Sequence, residues 1–227
     1  MQASDTPAEI GVLASGGLDS SILLARLLDL GRHVRPFYVR SGLCWQGAEL
    51  AHLNRLLASL ASPRLGKLVV LELPLADLYG DHWSVTGQGV PDQATDDDAV
   101  YLPGRNALLA IKAMLWCQMR GIGELALAPL ASNPFADARS EFFSDFESAL
   151  NRASEGCVKI TRPFSHLSKQ AVMEMGRHLR LDLTFSCIAP VDGLHCGHCN
   201  KCGERQAAFR QAFGDDPTRY AAAATRP

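Results

Sequence analysis

The 227 residues are 47% hydrophobic and 20% charged, enough for one sizeable core with at most a small appended lobe. A net charge of −2 lacks the global positive field of tight nucleic-acid binders, so a small-molecule substrate is favoured over nucleic acid. No stretch approaches about 18 consecutive apolar residues, so no membrane span is expected, and residues 1–8 show no basic-then-apolar leader pattern.

Residues 10–14 read as a buried strand, and residues 19–30 follow with Ile22, Leu23, Leu27, Leu28 and Leu30 at helical spacing before a stop at Gly31. Residues 34–39 predict a second strand, residues 47–59 a helix carrying Leu50, Leu53 and Leu57, and residues 67–73 a third strand. Residues 77–100 lack periodicity and carry Gly80, Gly87, Gly89, Pro91 and the acidic run Asp96-Asp97-Asp98. So long an irregular stretch is a functional lid or a disordered insertion, and the acidic run reads as solvated surface rather than a metal site. A helix over 106–120 closed by Gly121, a strand over 124–128, a helix over 140–153, a short strand over 158–161 and a helix from Ser168 to about residue 180 complete the pattern, with Ser168 as N-cap. Residues 221–227 read as a frayed tail. Alternating strands and helices imply an α/β fold, a parallel sheet covered on both faces.

The segment Ala14-Ser15-Gly16-Gly17-Leu18-Asp19-Ser20 joins the first strand to the first helix. Two glycines let the backbone turn tightly and point its N–H groups at an anion. The helix aims its positive end at the same point, and Ser15 and Ser20 add hydroxyl donors. No Gly-Lys-Ser/Thr follows, so this is not a Walker A loop, and the Gly-x-Gly-x-x-Gly spacing is also absent. A plain glycine turn with Asp19 as N-cap explains the helix start but not the paired serines and glycines.

Cys187, Cys196, Cys199 and Cys202 supply four soft ligands within sixteen residues. Four thiolates fill a tetrahedral zinc site with no open position, which makes the metal structural. An iron–sulfur cluster also accepts four cysteines, and His195 or His198 can each replace one. Cytoplasmic location keeps thiols reduced and suits metal ligation better than disulfides. Cys44, Cys117 and Cys157 are isolated, and Cys117 reads as core.

Three further segments bear charge at predicted element ends. Arg105 stands at a helix mouth, suited to phosphate or carboxylate recognition or simply solvated. Asp137 and Arg139 follow a strand end and either pair with each other or face a substrate. Lys169 lies in the first turn of a helix, where it opposes the dipole and invites an anionic partner unless it is solvated.

The Ser-Gly-Gly-Leu-Asp-Ser loop resembles the PP-loop of the ATP-pyrophosphatase superfamily. With the Pro-Gly-Arg-Asn segment at 103–106, Leu-Ser-Lys at 167–169, Ser186-Cys187 and Cys-Gly-x-Cys-x-x-Cys, the chain resembles the 7-cyano-7-deazaguanine synthase (QueC/ExsB-type) family over about residues 11–213. That resemblance implies a Rossmann-like fold of the adenine nucleotide α-hydrolase type at residues 1–184, and a small zinc-binding C-terminal segment and helix at 185–227. It implies a cytoplasmic ATP-dependent C–N ligase that turns 7-carboxy-7-deazaguanine and ammonia into the nitrile, with ATP, Mg²⁺ and Zn²⁺, as a homodimer in many members. Ser15, Asp19, Ser20 and Lys169 take the catalytic role, Asp19 by assisting Mg²⁺ or orienting the loop. Ala14, Ser15, Gly16, Gly17, Leu18, Asp19, Ser20 and Arg105 hold ATP, Arg105, Asp137 and Arg139 the substrate, and Cys187, Cys196, Cys199 and Cys202 the zinc. Trp45, Phe135 and Phe185 are candidates to stack on the purine. The family's Asp-Tyr-Gly-Gln-like segment is replaced after the second strand, and its Tyr-Pro-Asp-Cys-Arg-Pro segment stands as Phe135-Ala136-Asp137-Ala138-Arg139-Ser140. A diverged relative that activates a similar carboxylate but stops at an amide or a conjugate is the alternative. A zinc-bearing module without catalysis fits the intact loop poorly.

Overall fold

The computed structural model describes residues 8–222. The leader reading of residues 1–8, apart from Ala8, and the tail beyond residue 222 lie outside the described residues.

Five strands form one sheet: β1 (Glu9–Leu13), β2 (His33–Arg40), β3 (Val69–Glu72), β4 (Glu124–Ala126) and β5 (Lys159–Thr161). All neighbours are parallel, in the order β3-β2-β1-β4-β5. The crossovers are α1 (Leu18–Asp29), α2 (Gln46–Leu60), α5 (Arg105–Gln118) and α6 (Ser140–Ala153); α7 (Lys169–Met175) and α8 (Asn200–Phe213) follow the sheet. Gly31, at φ +78°, lies just past α1, where a left-handed residue ends a helix.

The strands sort their side chains by parity. Ile10, Val12, Val34, Tyr38 and Ala126 join a core with Ile22 and Leu23 of α1, Val172 and Met173 of α7, and Phe209 of α8. Phe37, Leu125 and Ile160 point the other way, onto Met114 and Cys117 of α5 and Phe143 of α6. This period-two sorting buries both faces of the sheet. Burial pushes the Cys117 thiol up to about 12, as expected for an inert core residue.

A third cluster packs Leu43, Trp45, Val100, Leu102 and Phe185 against all four C-terminal cysteines. Residues 77–100 are ordered here. They hold α3 (Ala76–Tyr79), α4 (Trp83–Thr86) and a single 3₁₀ turn at Asp97–Val100, and Asp96, Asp97 and Asp98 are exposed. Hydrogen bonds from Gln93 N–H to His198 O at 3.0 Å and from Asn200 N–H to Pro91 O at 2.9 Å stitch this stretch to the cysteine segment. Periodicity missed it because each helix is one turn long. The helix expected to reach residue 180 stops at Met175. Gly176 follows, and a Cβ there would meet Ile22 Cγ1 at 2.6 Å, so the chain turns where α1 crowds it.

The sheet order reverses at β1. The connection from β1 leads to β2 on one side, while β4 lies on the other, so the loops leaving β1 and β4 diverge and open a crevice at the carboxyl ends of the strands. Among the described residues no helix is long and apolar enough to cross a membrane.

Gly11 lies at the tightest point of the sheet. A Cβ there would stand 2.9 Å from Cys117 Sγ, 2.9 Å from Phe37 Cε2 and 3.0 Å from Leu125 Cδ1. Gly11→Ala is expected to cost about 1–3 kcal/mol by overpacking. An unshifted urea midpoint would show that the core yields more easily than this packing implies.

Candidate functional site

Beyond β1 the chain passes through Ala14, whose N–H donates to Phe37 O at 2.9 Å, into Ser15. Gly16 then takes φ +81°, and its pro-Cβ position faces Leu53 Cβ at 3.2 Å, so both conformation and space require glycine. Gly17 caps α1 without a side-chain hydrogen bond. Ser21 N–H makes the first helical bond, to Gly17 O at 3.1 Å. The preceding N–H groups, of Leu18, Asp19 and Ser20, are the orphan donors of a helix start, available to an anion. Ser15 Oγ accepts from Gly17 N–H at 3.3 Å and lies 3.2 Å from Ser20 Oγ, so both hydroxyls line the turn.

Lys169 begins α7, held there by Ser168, whose Oγ accepts from Ala171 N–H at 3.2 Å. Its ammonium donates to Asp19 Oδ1 at 2.6 Å, so the anionic partner expected for this lysine is the carboxylate of the phosphate loop. Both side chains are about 30% exposed, so the pair contributes little stability. Its value lies in placing one cation and one carboxylate beside the orphan N–H groups.

These groups open into a cleft of about 370 Å³, the scale of a small-ligand site. A second lobe of about 390 Å³ shares Asp19, Lys169, Lys201 and Glu204 with it. Lys201 and Glu204 are paired on α8 at 2.6 Å. Arg105 lines the first lobe from the start of α5. Its Nε is buried with no hydrogen-bond partner, and its guanidinium carbon lies 5.9 Å from the Trp45 ring centroid. Trp45 in turn stacks on Trp83 at 5.8 Å. Opposite, the Tyr38 hydroxyl donates to Glu49 Oε2 at 2.6 Å. Burial raises the Glu49 carboxyl to about 7, opposed by the attraction of Arg105 and the bond from Tyr38. Burial and the Glu49 charge also raise the Tyr38 phenol.

The structure therefore brings Ser15, Asp19, Ser20, Lys169 and Arg105 to one cleft, and keeps Asp137 and Arg139 off it. Asp137 is buried under α5, where its carboxylate accepts from Asn106 N–H at 3.0 Å and its carbonyl accepts from Asn106 Nδ2 at 3.0 Å. It caps the helix that carries Arg105. Arg139 is exposed at the start of α6 and makes no ion pair with Asp137. Trp45 and Phe185 line the first lobe, and Phe135 lines the second. Tyr38, Glu49, Lys201 and Glu204 had no local signal in the sequence. Glu49 sits beside apolar Leu50 in an ordinary amphipathic helix, and only the packing of α2 over β2 reveals its place.

The four cysteines converge. Their sulfurs all lie within 4.8 Å of one another, with Cys187–Cys199 and Cys196–Cys202 at 3.9 Å. A tetrahedron with Zn–S bonds of about 2.3 Å has edges of about 3.8 Å. The spacing fits one ion, whereas a multi-iron cluster spreads its thiolates over separate metals. Backbone N–H groups of Ala189 and Cys196 donate to Cys187 Sγ and that of Cys199 to Cys196 Sγ, each at 3.3 Å, stabilising thiolate charge. The histidines lie outside the set. His195 Nε2 accepts from Ser186 N–H at 3.1 Å, and His198 Nδ1 bonds Cys196 O at 3.0 Å. Burial lowers His195 to about 3, so it stays neutral and keeps its acceptor nitrogen.

The family model described as queuosine biosynthesis protein QueC matches residues 9–213. The 7-cyano-7-deazaguanine synthase of Solidesulfovibrio magneticus is 31% identical, over 96% of this chain and 97% of its own. Those of Desulfotalea psychrophila and Thiobacillus denitrificans are 30% and 33% identical, each over 92% of this chain and 97% of their own.

Cys199→Ser is expected to empty the tetrahedral site and destabilise the protein by several kcal/mol, since a structural ion binds only the folded arrangement. Elemental analysis and chemical denaturation, each with and without chelator, check this. Unchanged metal content in the variant would remove Cys199 from the ligand set.

Proposed function

We propose, since the chain belongs to the QueC family of queuosine biosynthesis proteins, that this enzyme converts 7-carboxy-7-deazaguanine and ammonia to 7-cyano-7-deazaguanine at the expense of ATP. The observation that carries the reading is the meeting, in one cleft, of an unsatisfied phosphate loop, the Asp19–Lys169 pair and the partnerless Arg105.

In the first half-reaction a substrate carboxylate oxygen attacks the α-phosphorus of ATP. A P–O bond forms there as the bond to the β-phosphate bridge breaks, and pyrophosphate leaves. Its charge falls on the orphan N–H groups of Leu18, Asp19 and Ser20, the Ser15 hydroxyl and Lys169, all set in place before the reaction. Ammonia then attacks the acyl carbon, AMP departs and an amide results. A second ATP activates the amide oxygen in the same way, and loss of AMP with two N–H protons gives the nitrile. Asp19 and the Ser20 hydroxyl are hard oxygen donors that suit Mg²⁺, which when bound with the nucleotide spreads the phosphate charge. Cys187, Cys196, Cys199 and Cys202 hold Zn²⁺, which with four protein ligands has no open position for chemistry. Arg105 faces the acceptor acid, with its spare donors directed at a carboxylate.

Turnover with Mg-ATP, ammonium and 7-carboxy-7-deazaguanine, read by mass spectrometry, is expected to give nitrile and AMP. Asp19→Asn and Lys169→Met are expected to lower kcat about a hundredfold or more with zinc content intact. Accumulation of the amide alone would favour the diverged amide-forming relative, and full activity in either variant would overturn its assigned role.

A further inference from the structure

Three carboxylates line the main cleft: Asp19, Glu49 and Glu204. Asp19 and Glu204 are each held by a lysine at 2.6 Å. Glu49 has no lysine or arginine within ion-pair distance among the described residues, although Arg105 is near enough for its charge to act on it. The Tyr38 hydroxyl, at 2.6 Å, fixes the carboxylate's direction, and the Trp45 side chain also favours its charged form; a carboxylate offers about four lone-pair sites, so acceptor capacity is left over. Arg105 is equally uncommitted, with its Nε buried and unpartnered. Trp45 lies beside the guanidinium and stacks on Trp83, so a flat aromatic wall runs along this donor–acceptor pair.

A half-buried donor set near a half-buried acceptor set, along an aromatic surface, is the complement of a planar base edge that presents acceptors and then donors. In 7-carboxy-7-deazaguanine the 7-carboxylate and O6 lie on the same side of the bicycle, and N1–H and the 2-amino group follow around the ring. We infer that Arg105 and Glu49 together read this edge, Arg105 donating to the 7-carboxylate and O6 and Glu49 accepting from N1–H and the 2-amino group. The inference rests on the deazapurine reading above and adds the specificity determinant. An adenine base presents a lone pair at N1 and is repelled by the Glu49 carboxylate, so the same residue keeps the base of ATP out of the acceptor's place. An ionised Glu49 is the form that reads guanine-type N–H groups; burial raises its carboxyl to about 7, and Arg105, Tyr38 and Trp45 oppose that shift.

The test is calorimetric titration of the zinc-loaded full chain, with Mg²⁺ and a non-hydrolysable ATP analogue present. The probes are 7-carboxy-7-deazaguanine and its analogue lacking the 2-amino group. The unmutated protein is expected to bind the analogue about ten- to a hundredfold more weakly, the worth of a hydrogen bond to a charged acceptor. Glu49→Gln is expected to bind the parent base that much more weakly and to shrink the gap between the two bases to about threefold or less, with affinity for the ATP analogue unchanged. Tyr38→Phe keeps the carboxylate and is expected to keep most of the gap. Equal binding of both bases by the unmutated protein overturns the inference while leaving the deazapurine reading in place, as does an unchanged gap in Glu49→Gln. Binding of neither base overturns the reading and the inference together.

Discussion

A backbone hydrogen bond from Phe185 N–H to Gly16 O, at 2.7 Å, joins the two ends of the functional machinery. Gly16 is the left-handed residue of the glycine loop, and Phe185 lies two residues before Cys187, the first of the four converging cysteines. One such bond contributes on the order of 1 kcal/mol net, so its importance is positional. It makes the shape of the loop depend on whatever anchors residues 181–199. Two anchors do so. His52 on α2 sets its two ring nitrogens 3.1 Å from the carbonyls of Leu183 and Gly193 and donates its N–H to one of them. Arg205 on α8 is 1% exposed and reaches Leu181 O, Thr184 Oγ1 and Thr218 Oγ1 at 2.8, 2.8 and 2.7 Å.

Arg205 is an unusual burial, since among the described residues no carboxylate bonds it. Its cost is offset by the four oxygens it bonds and by the charges of Asp216 and, less strongly, Cys202. Burial pulls the guanidinium downward while the Asp216 charge and Cys202 pull it back up. The Cys202 charge thus favours the buried guanidinium.

Much of the architecture was legible in the sequence. The apolar patterns marked all five strands and the helices α1, α2, α5, α6 and α7 because each buries a face, whereas α8 was marked only by the resemblance of the C-terminal segment. The phosphate loop and the cysteine spacing were legible because their chemistry is local: a turn, a helix end, four ligands within one short stretch. The acceptor side of the cleft was not. Glu49 and Tyr38 are eleven residues apart and become partners only when α2 folds back over β2. Asp137 looked like a substrate ligand because it stands at the ligand-facing edge. Whether an aspartate there faces the cleft or caps the next helix is decided by Asn106, thirty-one residues earlier. The one-turn helices of residues 77–100 were invisible for the same reason, since their order comes from Gln93 and Asn200 bonding across the chain.

Asp19 and Lys169 are 150 residues apart, and Gly16 meets Phe185 across still more chain. During synthesis from the N-terminus the phosphate loop therefore emerges early and waits. Its turn cannot be braced until α7 and the cysteine segment have left the ribosome, and Arg205 follows almost last. Contacts of such long sequence separation form late and close slowly. A chain lacking residues 169–185 holds the loop without either of these contacts. The glycine loop is thus shaped by contacts from residues far along the chain.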